Sequence, residues 1–156
     1  MVLIMGATNF HCEANGATIS DAFRQAIENA RWEYGHRGYT GSIAEKSGVT
    51  EFRIPLDSLP ELPDKGHRNQ SFAMRVDGAM CFLCEYSDDT EIDEALSEDI
   101  QSEWSKQAQA DARALREAMG RKEFRRMMDI WYEKWGNAVG FRIDEGMYGF
   151  CGTASC

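Results

Sequence analysis

Apolar positions along the chain first recur at helical spacing after Thr18, where Ile19, Phe23, Ala26, Ile27, Ala30 and Tyr34 fall on one stripe. Thr18, with Asp21 three residues on, can cap the first turn of this helix, and Gly35 can end it. Ahead of it, Val2-Leu3-Ile4-Met5 reads as a short buried strand and Asn15-Gly16 as a turn.

The pattern then shortens to that of strands. Ser42 to Lys46 and Val49 to Ile54, joined by Ser47-Gly48, predict a hairpin in which Ile43 faces Phe52 and Ile54 shares their side. Pro55, Pro60 and Pro63 punctuate a polar crossing from Leu56 to Gln70, read as a long surface loop. Phe72 to Val76 and Ala79 to Tyr86 flank Asp77-Gly78, the strongest short-range hairpin signal in the chain. Because both faces of that segment are apolar, the reading makes it a central hairpin covered on both sides.

From Thr90, with Asp93 as its capping partner, helical spacing returns through Ile92, Leu96, Ile100, Trp104, Ala108, Ala112, Leu115 and Met119. Phe124, Met127, Trp131 and Trp135 then lie roughly 150° round the same helix, at about 100° per residue. A break near Gly120 removes the conflict and predicts helices over 103–119 and 121–135, with the stretch from Thr90 a third piece or an extension. A last hairpin, Ala138 to Ile143 and Met147 to Cys151, turns through Asp144-Glu145-Gly146 and sets Phe141 over Gly149. The expected fold is α+β. An antiparallel sheet of about three hairpins plus an N-terminal strand is packed by an N-terminal helix and a two-piece C-terminal helical segment, one domain over residues 1–156.

Charge narrows the choice of partners. Twenty-six acidic against seventeen basic residues give a net charge of −9, which argues against direct binding of nucleic acid or anionic lipid and favours a basic protein surface. The Val2–Met5 run is too short to span or anchor in a membrane. Five cysteines without an export signal point to reduced thiols in the cytoplasm.

Four groups of residues carry candidate chemistry. Cys81 and Cys84 have the spacing of a zinc half-site that Cys151 and Cys156 could complete, but residues three apart on a strand point to opposite faces. The expectation is therefore no metal, and nothing in the chain asks for a cofactor. The loop from Gly35 holds His36, Arg37, Tyr39, Thr40 and Ser42 and runs on to Lys46. With His11 it could offer donors to a small anion, although it follows a helix where a Walker loop follows a strand. Between Asp77 and Glu103 stand ten acidic residues and no basic one, among them Asp88, Asp89, Glu91, Asp93, Glu94 and Glu98. The basic run Arg113, Arg116, Arg121, Lys122, Arg125 and Arg126 could meet that stretch within the chain or across a homodimer.

No catalytic signature emerges. The leading expectation is a non-enzymatic interaction protein, of the inhibitor or regulatory kind, that presents the acidic segment to a basic macromolecule. The competing reading is a small enzyme or a nucleotide- or small-anion-binding domain built on the Gly35–Lys46 loop, His11 and Glu13. A third, a structural or oligomer-forming component, would use an aromatic surface round Trp104, Trp131 and Trp135. A concave pocket gathering His11, His36 and Ser42 would favour the second, and an acidic segment on an open convex face the first.

Overall fold

The computed structural model describes residues 7–36, 38, 40–61 and 70–155. Within them lie four strands, β1 (Ala7–Asn15), β2 (Val49–Glu51), β3 (Ala138–Asp144) and β4 (Met147–Ser155), and five helices. These are α1 (Ile19–Tyr34), α2 (Phe72–Leu83), α3 (Asp89–Ser97), α4 (Glu103–Met119) and α5 (Arg121–Tyr132). The sheet runs β1-β4-β3-β2 and is mixed: β1 and β3 flank β4 antiparallel, while β2 lies parallel to β3. The class is α+β, and the wholly antiparallel sheet of three hairpins is corrected to one hairpin with a parallel edge.

The sheet separates two cores. On one side the close stripe Ala22, Ala26 and Ala30 lets α1 approach Ala14, Ala138 and Phe150, with Phe23 and Phe150 ring centroids 5.9 Å apart. On the other side α2 and α5 cover Val139, Phe141 and Cys151, and α4 packs on both helices. Phe72 meets Phe141 edge-on at 5.5 Å there.

The segment read as the central hairpin is α2. Ser71 caps it by accepting from the Met74 amide at 3.1 Å, and Asp77 and Gly78 sit in its interior. A run apolar on both sides satisfies a buried helix as well as a central strand, and here Ala73, Met74, Ala79, Met80 and Leu83, all good helix formers, decide it. The predicted 42–54 hairpin is likewise absent. Ile43–Glu45 is a single 3-10 turn capped by Ser42, and Ile43 joins the α1 core while Phe52 and Ile54 join the opposite one. The strand from Val2 to Met5 lies outside the described residues. β1 begins two residues later, with an alternation (Phe10, Cys12 and Ala14 towards α1) that its polar positions hid.

The other expectations stand closer to the chain. α1 is capped by Thr18, and Gly35 ends it at φ +92°. α3 starts at Asp88, whose carboxylate accepts from the Glu91 amide at 2.9 Å, two residues before the cap assigned to Thr90. Gly120, at φ +86°, divides α4 from α5, and α5 stops at Tyr132 rather than running to residue 135. In the last hairpin Phe141 pairs with Gly149. A Cβ on Gly149 would lie 2.5 Å from the Phe141 ring, so the ring does occupy the bare backbone.

Candidate functional site

As the edge strand, β1 lies between α1 on one face of the sheet and α2 on the other, and Asn9 and His11 line a cavity on each side. On the α2 side Asn9 Nδ2 donates to Asp77 Oδ2 at 2.6 Å and Trp131 Nε1 donates to Oδ1 at 2.7 Å. Asp77 is 3% exposed. Burial raises its pKa to about 7, against the two donors, which favour the carboxylate. The adjoining cavity of about 160 Å³ is also lined by His11, Cys81 and Trp104. Arg75, at its wall, is held bidentate by Asp111 (2.7 and 3.1 Å), and Gln107 donates to the same carboxylate at 3.0 Å.

On the α1 side a cavity of about 340 Å³ opens between β1, α1 and the turn at 41–43. Phe10, Ala26, Ala30 and Ile43 give it apolar lining and Asn29, Glu33, Tyr34 and Ser42 polar lining, while His11 and Glu13, which alternate with Phe10 and Cys12, line it from β1. Partial burial lowers the pKa of His11 while Glu13 pulls it up. Burial, with Glu13 nearby, pushes the Cys12 thiol up to about 12. His11, Glu13 and Ser42 line this one cavity; His36, which the small-ligand reading placed with them, is exposed and is not among the lining residues. Arg37 and Tyr39 lie outside the described residues.

The hydroxyls of Thr40 and Ser42 are turned inward on the chain. Thr40 donates to Glu45 Oε2 from its hydroxyl at 3.0 Å and from its amide at 3.2 Å, and its oxygen lies 2.7 Å from Ser42 Oγ. Ser42 Oγ also accepts from the Ala44 amide at 3.3 Å. Lys46 is buried: its Nζ donates to the Glu133 carbonyl at 2.6 Å, and desolvation lowers its pKa to about 8 against the nearby Glu133 and Cys151. It does not line the cavity.

The acidic segment is partly engaged by the chain itself. Asp88 caps α3, and Glu91 accepts from the Ser87 amide at 3.3 Å. Asp93 pairs with Arg116 and, at 3.3 Å, with Arg121; the hydrogen bond from Arg116 comes first among the causes holding its carboxyl below the usual range. Arg113 donates to the Leu96 carbonyl and Arg125 to that of Ser87, so much of the basic run folds across the acidic one. Asp89, Glu94 and Glu98 remain exposed.

Cys81 and Cys84 are not divided between two faces. They sit one helical turn apart at the end of α2, a correction that follows directly from the helix. Cys151 is fully buried in β4, Cys156 lies outside the described residues, and no group of three metal-ligating side chains occurs among the described residues. Of the proposed aromatic surface, Trp131 is buried on Asp77, whereas Trp104 and Trp135 are exposed. No helix among the described residues is long and apolar enough to cross a membrane.

The sequence pattern marked Asp77 as a turn residue and an acid, not as a site residue, and did not mark Asn9. The signal was there in the spacing Asp77, Cys81, Cys84, a single helical stripe once the segment is read with a period of 3.6 residues. No protein-family model matches the chain, and neither a curated protein nor a solved structure matches it at a significant level.

Proposed function

We propose that the protein binds a small amine-bearing ligand in the cleft between β1, α1 and the turn at 41–43. The observation that supports this reading is the meeting of His11, Glu13 and Ser42, from separate stretches of sequence, round one cavity of about 340 Å³. That size falls within the usual range of small-molecule sites, and apolar lining with a few converging polar groups is their usual composition. Glu13 and Glu33 are acidic, and no Lys or Arg stands among its described lining residues, so the cleft suits a cation better than the anion that the loop alone suggested. Phe10 and Tyr34 also line it, and aromatic rings attract a cation placed over their faces.

Titration calorimetry with putrescine as the probe, and acetate and inorganic phosphate as controls, tests the reading. Putrescine should bind, and the double variant Glu13→Gln/Glu33→Gln should lose most of that affinity. A variant neutralised on the outer face of α3, at Asp89, Glu94 and Glu98, should bind as the parent does. Binding of acetate or phosphate instead, or loss of putrescine binding only in the α3 variant, would return the function to an anion site or to the acidic surface.

A further inference from the structure

We propose that Cys81 and Cys84 form a thiol–disulfide exchange site, with Cys84 the attacking thiol, Cys81 the resolving thiol and a low-molecular-weight disulfide as substrate. The proposal is separate from the amine cleft, which lies against the opposite side of the sheet.

Geometry carries it. Residues three apart on an α-helix have Cα atoms about 5 Å apart, from the rise and radius of the helix, inside the range of roughly 4.4–6.8 Å that a disulfide spans. Cys84 follows the last residue of α2 with right-handed backbone at φ −64° and ψ −21°, so that spacing holds to the end. The two thiols open on different sides. Cys84 lines a cleft of about 610 Å³ between the end of α2 and α5, bordered by Tyr86, Trp131 and Tyr132. Cys81 is buried and lines the small cavity with Asp77, one turn back on the same stripe. A substrate must reach the attacking thiol, whereas the resolving thiol need only reach its neighbour, which suits Cys84 to the first role and Cys81 to the second.

The electrostatics agree with the order of the steps. A hydrogen bond between the thiols lowers the pKa of Cys84 and raises that of Cys81, which burial raises further. Asp77, poised near neutrality, is a proton acceptor next to the thiol that holds its proton.

The Cys84 thiol gives its proton to solvent, and its thiolate attacks one sulfur of the substrate. The substrate S–S bond breaks, and its first half leaves as a thiolate that is protonated by solvent. Cys81 passes its proton to the Asp77 carboxylate and attacks Cys84 Sγ. The mixed disulfide breaks, and the second half leaves and takes up the proton. Two protein thiols are oxidised to one disulfide, and the substrate, which is the oxidant, is reduced to two thiols.

Oxidised glutathione is the probe, and peptide mass mapping the readout. The parent protein should lose two hydrogens from the peptide holding Cys81 and Cys84. Cys81→Ser should stall with one glutathionyl group on Cys84. Cys12, also half-buried but with its thiol pushed up to about 12, should react more slowly, since a lower thiol pKa raises the thiolate fraction by more than it lowers nucleophilicity. In Asp77→Asn the second step should slow, and its rise with pH near 7 should vanish. First modification at Cys12 or Cys151 in the parent, or a parent that never converts the mixed disulfide to the internal one, would overturn the site. An unchanged pH profile in Asp77→Asn would remove Asp77 from it. The parent experiments need no variant to fold, and circular dichroism reports on those that are made.

Discussion

Asp77 is the residue on which most of the α2 side converges. A carboxylate in the middle of a buried helix is disfavoured by desolvation, and the Asn9 and Trp131 donors offset only part of that. The linkage has a definite sign. Its folded pKa, about 7, lies above the ordinary carboxylate value of 3.8, so the folded state holds one more proton between those values. Stability from this group is complete below about pH 4 and is lost as pH rises through 7, by on the order of 4 kcal/mol. Asp77→Asn should flatten that decline. Urea unfolding from pH 4 to 8 measures it, and taking the difference between parent and variant cancels the opposite-signed contributions of His11 and Asp93. At the wall of the same cavity, Asp111 is 1% exposed and depends on Arg75 for its charge partner. Arg75→Met should destabilise the fold by roughly 3–5 kcal/mol, because it leaves that carboxylate unpaired.

At the scale of elements, two glycines distinguish helix from turn. A type I′ turn at Asp77-Gly78 would need positive φ at Gly78, and Gly78→Ala would strain it. In α2, Gly78 has no such φ, and a Cβ there meets nothing within 4 Å. Gly78→Ala should therefore raise stability by roughly 0.5–1 kcal/mol. Gly120, at φ +86°, is the reverse case, and Gly120→Ala should lower stability by about 1–2 kcal/mol. Thermal melts of the two variants moving in opposite directions would establish both assignments.

The legible elements share a cause. α1, the break at Gly120 and the last hairpin each carry a period together with punctuation that agrees with it: a cap, a positive-φ glycine, or a bare backbone under a ring. α2 carried contradictory signals, since Asp-Gly between apolar runs looks like a turn until the partners of Asp77 are known, and those come from β1 and α5. The pairing of β2, though not the strand itself, was beyond local reading for a related reason: its partner β3 is some ninety residues away, and parallel pairing leaves no turn to recognise. For the site, the sequence pointed to His11, Glu13 and Ser42. It did not reveal the inward hydrogen bonds of Thr40 and Ser42 or the burial of Lys46, which depend on the packing of β4 and on Glu133.

At the scale of the molecule, part of the acidic segment is engaged by the chain itself. Asp88, Glu91 and Asp93 cap or brace α3, and arginines from α4 and α5 reach back across it. Neutralising Asp89, Glu94 and Glu98, which are exposed, should change stability by no more than about 0.5 kcal/mol each. The cleft beside β1 instead joins acidic and aromatic side chains from elements that only the fold brings together. Amide chemical-shift mapping during a putrescine titration tests this most directly. The account expects the shifts to cluster on residues 9–13, 26–34 and 41–43. Shifts confined to residues 89–98, or none at saturating putrescine, would contradict it.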